Sequence, residues 1–498
     1  MSLKANLSIP FANFIRRKTI KWASNPIQTQ EKVFQSLIKK AKRTQFGKDH
    51  GFDKINEYDD FKKNVPINDY EGLKGYVDRI RAGEKNVLWP GIPIYLSKTS
   101  GTTSGAKYIP ITKESIPFHI NAARDSILHY IAETGKIEFV DGKMIFLQGS
   151  PELDKSGMIP VGRLSGIVAH HVPNYLQKNR LPSLTTNCIN DWEKKVDAIC
   201  GETIKEEMTL ISGIPPWIQM YFEKLIEKSD KKTIQEIFSS FSLFIYGGVN
   251  YEPYRQTMEK LIGKRVDSIE VYPASEGFIA FQDSQKEEGM LLLLNSGIFY
   301  EFIEVDEFFN ENPRRMSLKD VELDKNYVLI LNTNAGLWGY NIGDTVRFVS
   351  LKPYRIVVSG RIKHFTSAFG EHVIAEEVER AISVVSQETG IEVVEFHLAP
   401  QLHPNEESLP FHEWMIELKD PTADLESFSS LLNQKMMEYN TYYKDLIDGK
   451  MLQDLKITTI PKGGFQKYMK SKGKLGGQNK LPRLANDRKL ADELLELI

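Results

Sequence analysis

The sequence has 498 residues, 41% of them hydrophobic, and a formal net charge of -2 that sets 64 basic against 66 acidic side chains. Such a length buries large cores and implies two or more domains, while the near-balance of charge leaves no whole-chain field for nucleic acid, which is excluded as an expected partner. Two cysteines, Cys188 and Cys200, are too few for a disulfide scaffold, and no apolar run reaches the ~18 residues of a membrane span. A reducing cytoplasmic setting with no membrane partner is therefore expected.

At the start of the chain, Lys4, Arg16 and Arg17 surround a short apolar stretch that Pro10 interrupts, a poor secretory signal. Residues 30 to 43 place Val33, Leu37, Ile38 and Ala41 on one helical face. Residues 99 to 110 then read TSGTTSGAKYIP, between strands expected at Ile92 to Leu96 and Tyr108 to Ile111. Gly101 and Gly105 permit φ > 0 and a close approach of backbone N–H groups to an anion. Thr99, Ser100, Thr102, Thr103 and Ser104 supply small donors, and Lys107 a positive charge. The spacing does not fit a Walker loop, which needs G-x-x-x-x-G-K-[ST] leading into a helix.

A helix over 114 to 133 carries Arg124, read as a solvated arginine, and Lys143 opens a buried strand that breaks at Gly149. The segment 150 to 175 shows no periodicity and reads as a long loop. Within it Met158, Ile159, Leu164, Ile167 and Val168 form either an acyl-binding wall or ordinary core; His170 and His171 receive no ligand role. GIPPW at 213 to 217 enters a helix, and the strand from Phe241 to Tyr246 ends at Gly247 and Gly248, exposing backbone groups at its carboxyl end, where ligands gather in open α/β sheets. Next, VYPASEG offers Tyr272 as a flat ring for a purine and Glu276 as a carboxylate for a phosphate-bridging Mg²⁺. In GLWGYNIGDTVRF, Asp344 can accept from both ribose hydroxyls, with Gly343 giving the sugar room; Trp338 and Tyr340 either line a pocket or pack beneath the sheet. Beyond residue 360 a compact α+β unit is expected, with a helix from Glu376 and strands near Val393 to Leu398 and Trp414 to Leu418. The tail is rich in glycine and lysine between Pro461 and Arg483.

Taken in order, TSGTTSG, Tyr272-x-x-Ser275-Glu276, Tyr340-x-x-Gly343-Asp344 and the segment containing Gly360, Arg361, Lys363, Gly370 and Glu377 resemble the motifs of the adenylate-forming superfamily. With the ending GGQNKLPRL, the whole chain resembles the Gretchen Hagen family of auxin-responsive acyl acid–amido synthetases, as a bacterial-type member. The resemblance implies an α/β fold with a large N-terminal domain (1–359) and a smaller mobile C-terminal α+β domain (360–498) hinged at Lys363. It implies an ATP- and Mg²⁺-dependent ligase that activates a carboxylic acid as acyl-AMP and passes it to an amine, an amino acid above all. Lys480, Glu276 and Thr103 are then catalytic, with Glu276 on Mg²⁺. Thr99 to Gly105, Gly247, Gly248, Val249, Tyr272, Ser275, Asp344 and Arg361 then bind the nucleotide. A monomer or weak dimer is expected. Plant members usually carry Arg where this chain has Asn341, so that contact is in question, and the shorter chain keeps plant hormone substrates from being carried over. The alternatives are an acyl-CoA ligase of the same superfamily and a nucleotide-binding protein without turnover.

Overall fold

The computed structural model describes residues 3–99, 106–172, 178–189, 191–362, 365–366, 373–402, 404, 409–449, 451–476 and 479–498. They fall into two compact units. The first comprises Met1–Ile214, Lys224–Gly248 and Val266–Val357, and the second comprises Pro215–Glu223, Val249–Arg265 and Val358–Ile498.

In chain order the first unit holds β1 (Tyr95–Thr99), β2 (Lys107–Ile111), β3 (Lys143–Phe146), β4 (Asp154–Ser156), β5 (Ile159–Gly162), β6 (Arg180–Leu181) and β7 (Met208–Ser212). There follow β8 (Leu243–Gly247), β9 (Asp267–Ala274), β10 (Gly277–Phe281), β11 (Met290–Leu292), β12 (Ile298–Glu304), β13 (Asn326–Thr333), β14 (Tyr340–Leu351) and β15 (Tyr354–Arg361), the last of which carries the chain into the second unit. One sheet has the order β2-β1-β5-β4, the other β12-β13-β14-β15-β11-β10-β9-β8-β7-β3-β6. The long sheet is parallel from β6 to β9 and turns antiparallel at the β9–β10 hairpin. β7 (MTLIS) and β8 (LFIYG) are buried at every position but the last, the pattern of parallel strands covered on both faces.

The helices Leu3–Ala23 and Ile116–Thr134 cover this half. Ala5, Ala12 and Ile15 join Leu128 and Ile131 against Leu210, Leu243, Ile245 and Ile269. Pro10 therefore does not interrupt the first helix, which runs through it. A proline costs an interior helix ~3 kcal/mol, and each large apolar side chain buried here returns about 1.5–3 kcal/mol, so packing outweighs propensity.

Of the segment read as a loop, residues 150 to 172 are described, and they are not one. They contain β4, β5 and the helix Leu164–Ala169, and β5 pairs in parallel with β1 through Leu96↔Val161, completing the sheet beside the phosphate-loop motif. Strands of three and four residues are too short to display alternation, which is why the sequence pattern misses them. Met158 stands 85% exposed between β4 and β5, whereas Ile159 and Ile167 are buried in separate cores, so these residues do not form one acyl wall. Trp338 and Tyr340 pack beneath the sheet among Phe46, Phe52, Phe61 and Leu73, and the Trp338 Nε1–H donates to the Leu88 carbonyl at 3.1 Å.

The second unit contains the short pair β16 (Phe365–Thr366) and β17 (Val373–Ile374), and the sheet β18-β19-β20 formed by Val393–Gln401, Phe411–Leu418 and Lys456–Ile460. The helices Ala375–Thr389 and Leu425–Tyr439 set Val378, Ile382, Val385, Phe428 and Leu432 against Phe396, Trp414 and Ile416. Glu377 caps the first of these helices: its carboxylate accepts from the Ile374 N–H at 3.0 Å and from Asn440 Nδ2 at 3.0 Å. Burial pushes that carboxyl up to about 7. Among the described residues, no helix is long and apolar enough to cross a membrane.

Candidate nucleotide site

The site is organised where the parallel half of the long sheet meets its antiparallel half. Gly247 pairs with Val271 at the carboxyl end of β8, and a Cβ on Gly247 would stand 2.3 Å from the Val271 carbonyl oxygen. Only glycine lets the two backbones approach so closely. Gly248 then turns at φ 87°, and Val249 begins the next segment of the second unit.

β9 continues past Val271 to Tyr272, Pro273 and Ala274. Because Ala274 pairs with Gly277, Ser275 and Glu276 form a two-residue turn and Glu276 sits, half-buried, at its tip. Two side-chain contacts fix this corner. The Ser97 and Ser275 hydroxyls are 2.9 Å apart, tying the turn to β1 just before Thr99, where the chain enters the phosphate-loop motif. The Tyr272 hydroxyl donates to Asp344 Oδ2 at 2.5 Å. Tyr272 is 8% exposed, with its ring packed beside Ile279 and Ala280, so it reaches the site through the hydroxyl.

Asp344 lies in β14 behind a shaped bend. Gly343 has φ 88°, a conformation that favours glycine, and its N–H donates to Asn341 Oδ1 at 2.8 Å, a local side-chain turn characteristic of Asn. Asn341 thus braces the Gly343–Asp344 bend. Its own N–H donates to the Asn68 carbonyl at 2.7 Å, and Asn68 Nδ2 donates to the Trp338 carbonyl at 3.0 Å. Asn68 therefore holds residues 338 to 341 at both ends.

The structure brings Thr99, Gly247, Gly248, Tyr272, Ser275, Glu276 and Asp344 into one unit, linked by strand register and by these hydrogen bonds. Val249, Arg361 and Lys480 belong to the other unit; Arg361 is exposed at the end of β15, and Lys480 is exposed in the tail. Ser100, Gly101, Thr102, Thr103, Ser104, Gly105 and Lys363 lie outside the described residues. Sequence reasoning missed Ser97, Asn68 and the bracing role of Asn341. Ser97 carries no motif signal at all, and only its place before Thr99 connects it to the loop.

One carboxylate at a turn suits Mg²⁺, which keeps several waters and takes its remaining ligands from phosphates. Among the described residues, no three His, Cys, Asp or Glu side chains converge as an all-protein cage would require.

Residues 16–188 match the GH3 family N-terminal domain, 291–361 its central domain and 376–489 its C-terminal domain. Indole-3-acetic acid-amido synthetase GH3.4 of Arabidopsis thaliana is 20% identical over 97% of this chain and 94% of its own. The solved structure of GH3.15 acyl acid amido synthetase gives a TM-score of 0.77 at 15% identity, covering 96% of this chain and 95% of that one. The structure of 2-hydroxyisobutyryl-CoA ligase in the postadenylation state with 2-HIB-AMP gives 0.62 at 12% identity, covering 95% and 93%. The fold is thus a mixed α/β one shared with adenylate-forming ligases. Three domain matches, in chain order and over more than half of the sequence, establish that this chain belongs to the GH3 family.

Proposed function

We propose that the chain is an ATP-dependent acyl acid–amido synthetase. The observation that carries this reading is the Tyr272–Asp344 hydrogen bond beside the Glu276 turn, at the carboxyl ends of β8 and β9, in a member of a family whose named relatives are amido synthetases. Relatives alone would leave the site open, and the fold alone would leave the acceptor open, because a CoA ligase shares it.

In the first step a carboxylate oxygen attacks the α-phosphorus of ATP; the new O–P bond forms as the bond to the β-phosphate oxygen breaks, and pyrophosphate leaves. In the second, the amine nitrogen attacks the acyl carbon, AMP leaves with the bridging oxygen, and the amine's proton passes to solvent. An α-amino group titrates near pH ~8, so a usable fraction is unprotonated at neutrality and no general base is assigned.

Asp344, oriented by Tyr272, accepts from the ribose hydroxyls, while Gly247, Gly248 and Val249 border the adenine. The donors of residues 99 to 105, Thr103 among them, hold phosphate oxygens. Arg361 meets ribose or phosphate, and Lys480 meets the charge that develops on the α-phosphate. Glu276 would hold Mg²⁺, which supplies charge neutralisation at the phosphates. The domain from 360 onward, pivoting at Lys363, exchanges the groups each step needs. A chain with only two cysteines, Cys188 and Cys200, fits a reducing, cytoplasmic setting, and a monomer or weak dimer belongs to the same proposal.

Asp344→Ala is expected to raise KM for ATP at least ~10-fold, since charge-assisted hydrogen bonds are worth about 1.5–3 kcal/mol each. Tyr272→Phe, which keeps the carboxylate and removes only its orienting donor, should cost about 3- to 10-fold. Equal, small effects in both would remove Asp344 from the site.

The function itself is tested by incubating the chain with ATP, Mg²⁺ and a panel of aryl and fatty acids, with pooled amino acids or coenzyme A as acceptor, and identifying products by mass. Acyl-amino acids are the expected product. Thioesters without amides would transfer the reading to the CoA-ligase class.

A further inference from the structure

Lys480 is exposed, yet the chain immediately after it is fastened at several points within the second unit. The Pro482 carbonyl accepts from His397 Nδ1 at 2.8 Å. The Leu398 N–H donates to the Arg483 carbonyl at 2.8 Å and the Ala485 N–H to the Leu398 carbonyl at 3.0 Å, a parallel bridge between Leu398 of β18 and Leu484. These bonds hold residues 482 to 485 alongside β18 through one isolated bridge.

The Arg483 side chain adds a second anchor. It is 8% exposed, and its guanidinium lies between two rings, 4.4 Å from the Phe396 centroid and 5.1 Å from that of Tyr254. It pairs with Glu395, approaches Glu379 at 3.9 Å and donates to the Tyr254 hydroxyl. A planar, delocalised cation with a fork of donors fills such a slot; an ammonium would not. Burial pushes the Glu395 carboxyl up to about 8 and the Arg483 guanidinium down to about 9. Tyr254 sits in the helix Glu252–Ile262, which begins three residues after Val249, and Lys260 of the same helix pairs with Glu392, the residue before β18. The helix after the adenine-side turn is thereby bound to the strand that carries the lysine loop.

We propose that Arg483 is the positioning residue of Lys480. Held by Tyr254, Phe396 and Glu395, it fixes the Lys480 loop in the arrangement that serves acyl-adenylate formation. This rests on the assignment of Lys480 to that step.

The test compares ATP–pyrophosphate exchange, driven by the panel acid that the unaltered chain turns over best, in Arg483→Met, Arg483→Lys, Lys480→Ala and the double variant Lys480→Ala/Arg483→Met. Misplacing a reacting group by ~1 Å costs about 10²-fold, so exchange should fall by about that much in Arg483→Met, without rescue by lysine. In the Lys480→Ala background the same change should cost less than about twofold, because the two residues act as a unit. Aminolysis of a chemically prepared acyl-adenylate should stay within about twofold in Arg483→Met. Tyr254→Leu, which leaves the Glu395 pair in place, should slow exchange about tenfold and serves as the second variant if thermal melting shows Arg483→Met unfolded. Undiminished exchange in folded Arg483→Met or in Tyr254→Leu, or losses that multiply with Lys480→Ala, overturns the proposal. Full exchange in Lys480→Ala overturns the parent assignment, and the positioning role with it.

Discussion

Lys480→Ala is expected to slow acid-dependent pyrophosphate release by about 10²- to 10³-fold, the effect of removing one donor aimed at developing charge. The loss should fall on kcat and leave KM for ATP nearly unchanged. On the proposed role Lys480, exposed in the tail, meets the phosphate charge only as it develops, so ground-state binding has little to lose. The natural control is Lys474, exposed in the same lysine-rich stretch but before the Gln-Asn-Lys segment, whose alanine variant should keep its rate within about twofold. Steady-state pyrophosphate release measured on both variants separates a placed lysine from a diffuse basic patch. Equal losses in both would make the tail an electrostatic surface and Lys480 one charge among several.

Acidification is expected to remove about 4 kcal/mol of folding stability between pH 7 and pH 5 through two histidines of the helix Ile116–Thr134. His119 and His129 are 4% and 3% exposed, and burial holds both imidazoles down at about 4. His129 Nε2 meets the Thr19 hydroxyl at 3.0 Å, fastening the helix Leu3–Ala23 against the same layer. In the unfolded chain each ring titrates near ~6.5, so the folded state carries fewer protons between these values. Stability from this source is fully present above the unfolded pKa and is lost as pH falls through 6.5 toward 4. At pH 5 the loss is about 2 kcal/mol per histidine, since one pKa unit is ~1.36 kcal/mol. Urea denaturation at the two pH values, for the natural chain and for His119→Leu/His129→Gln, isolates this contribution from that of the carboxylates. The double variant should show a difference smaller by about 4 kcal/mol; the same pH dependence in both would mean that these rings do not stay neutral in the fold.

What was legible in the sequence was backbone form carried by contiguous residues. The Gly247–Gly248 strand end could be placed because glycine at a strand end is a local signal with a backbone cause. Long apolar runs such as β8 gave their strands away for the same reason. What stayed hidden was pairing across the chain. The Ser97–Ser275 contact and the Tyr272–Asp344 hydrogen bond join residues whose partners are set by sheet order, which no local pattern encodes. Tyr272 read as a flat platform because aromatic rings advertise stacking, yet packing beside Ile279 and Ala280 directs its hydroxyl to the neighbouring strand's carboxylate. Asn341, read as a lost arginine contact, acts on its own backbone two residues on.

The most direct test of the central claim follows oxygen from the acid. An acid labelled with ¹⁸O in its carboxylate is turned over with ATP, Mg²⁺ and amino acid, and the products are weighed by mass spectrometry. Attack by the carboxylate on the α-phosphorus predicts one ¹⁸O in AMP, the other in the amide carbonyl, and unlabelled pyrophosphate. Label in inorganic phosphate beside ADP, or AMP formed without label, would contradict acyl-adenylate formation.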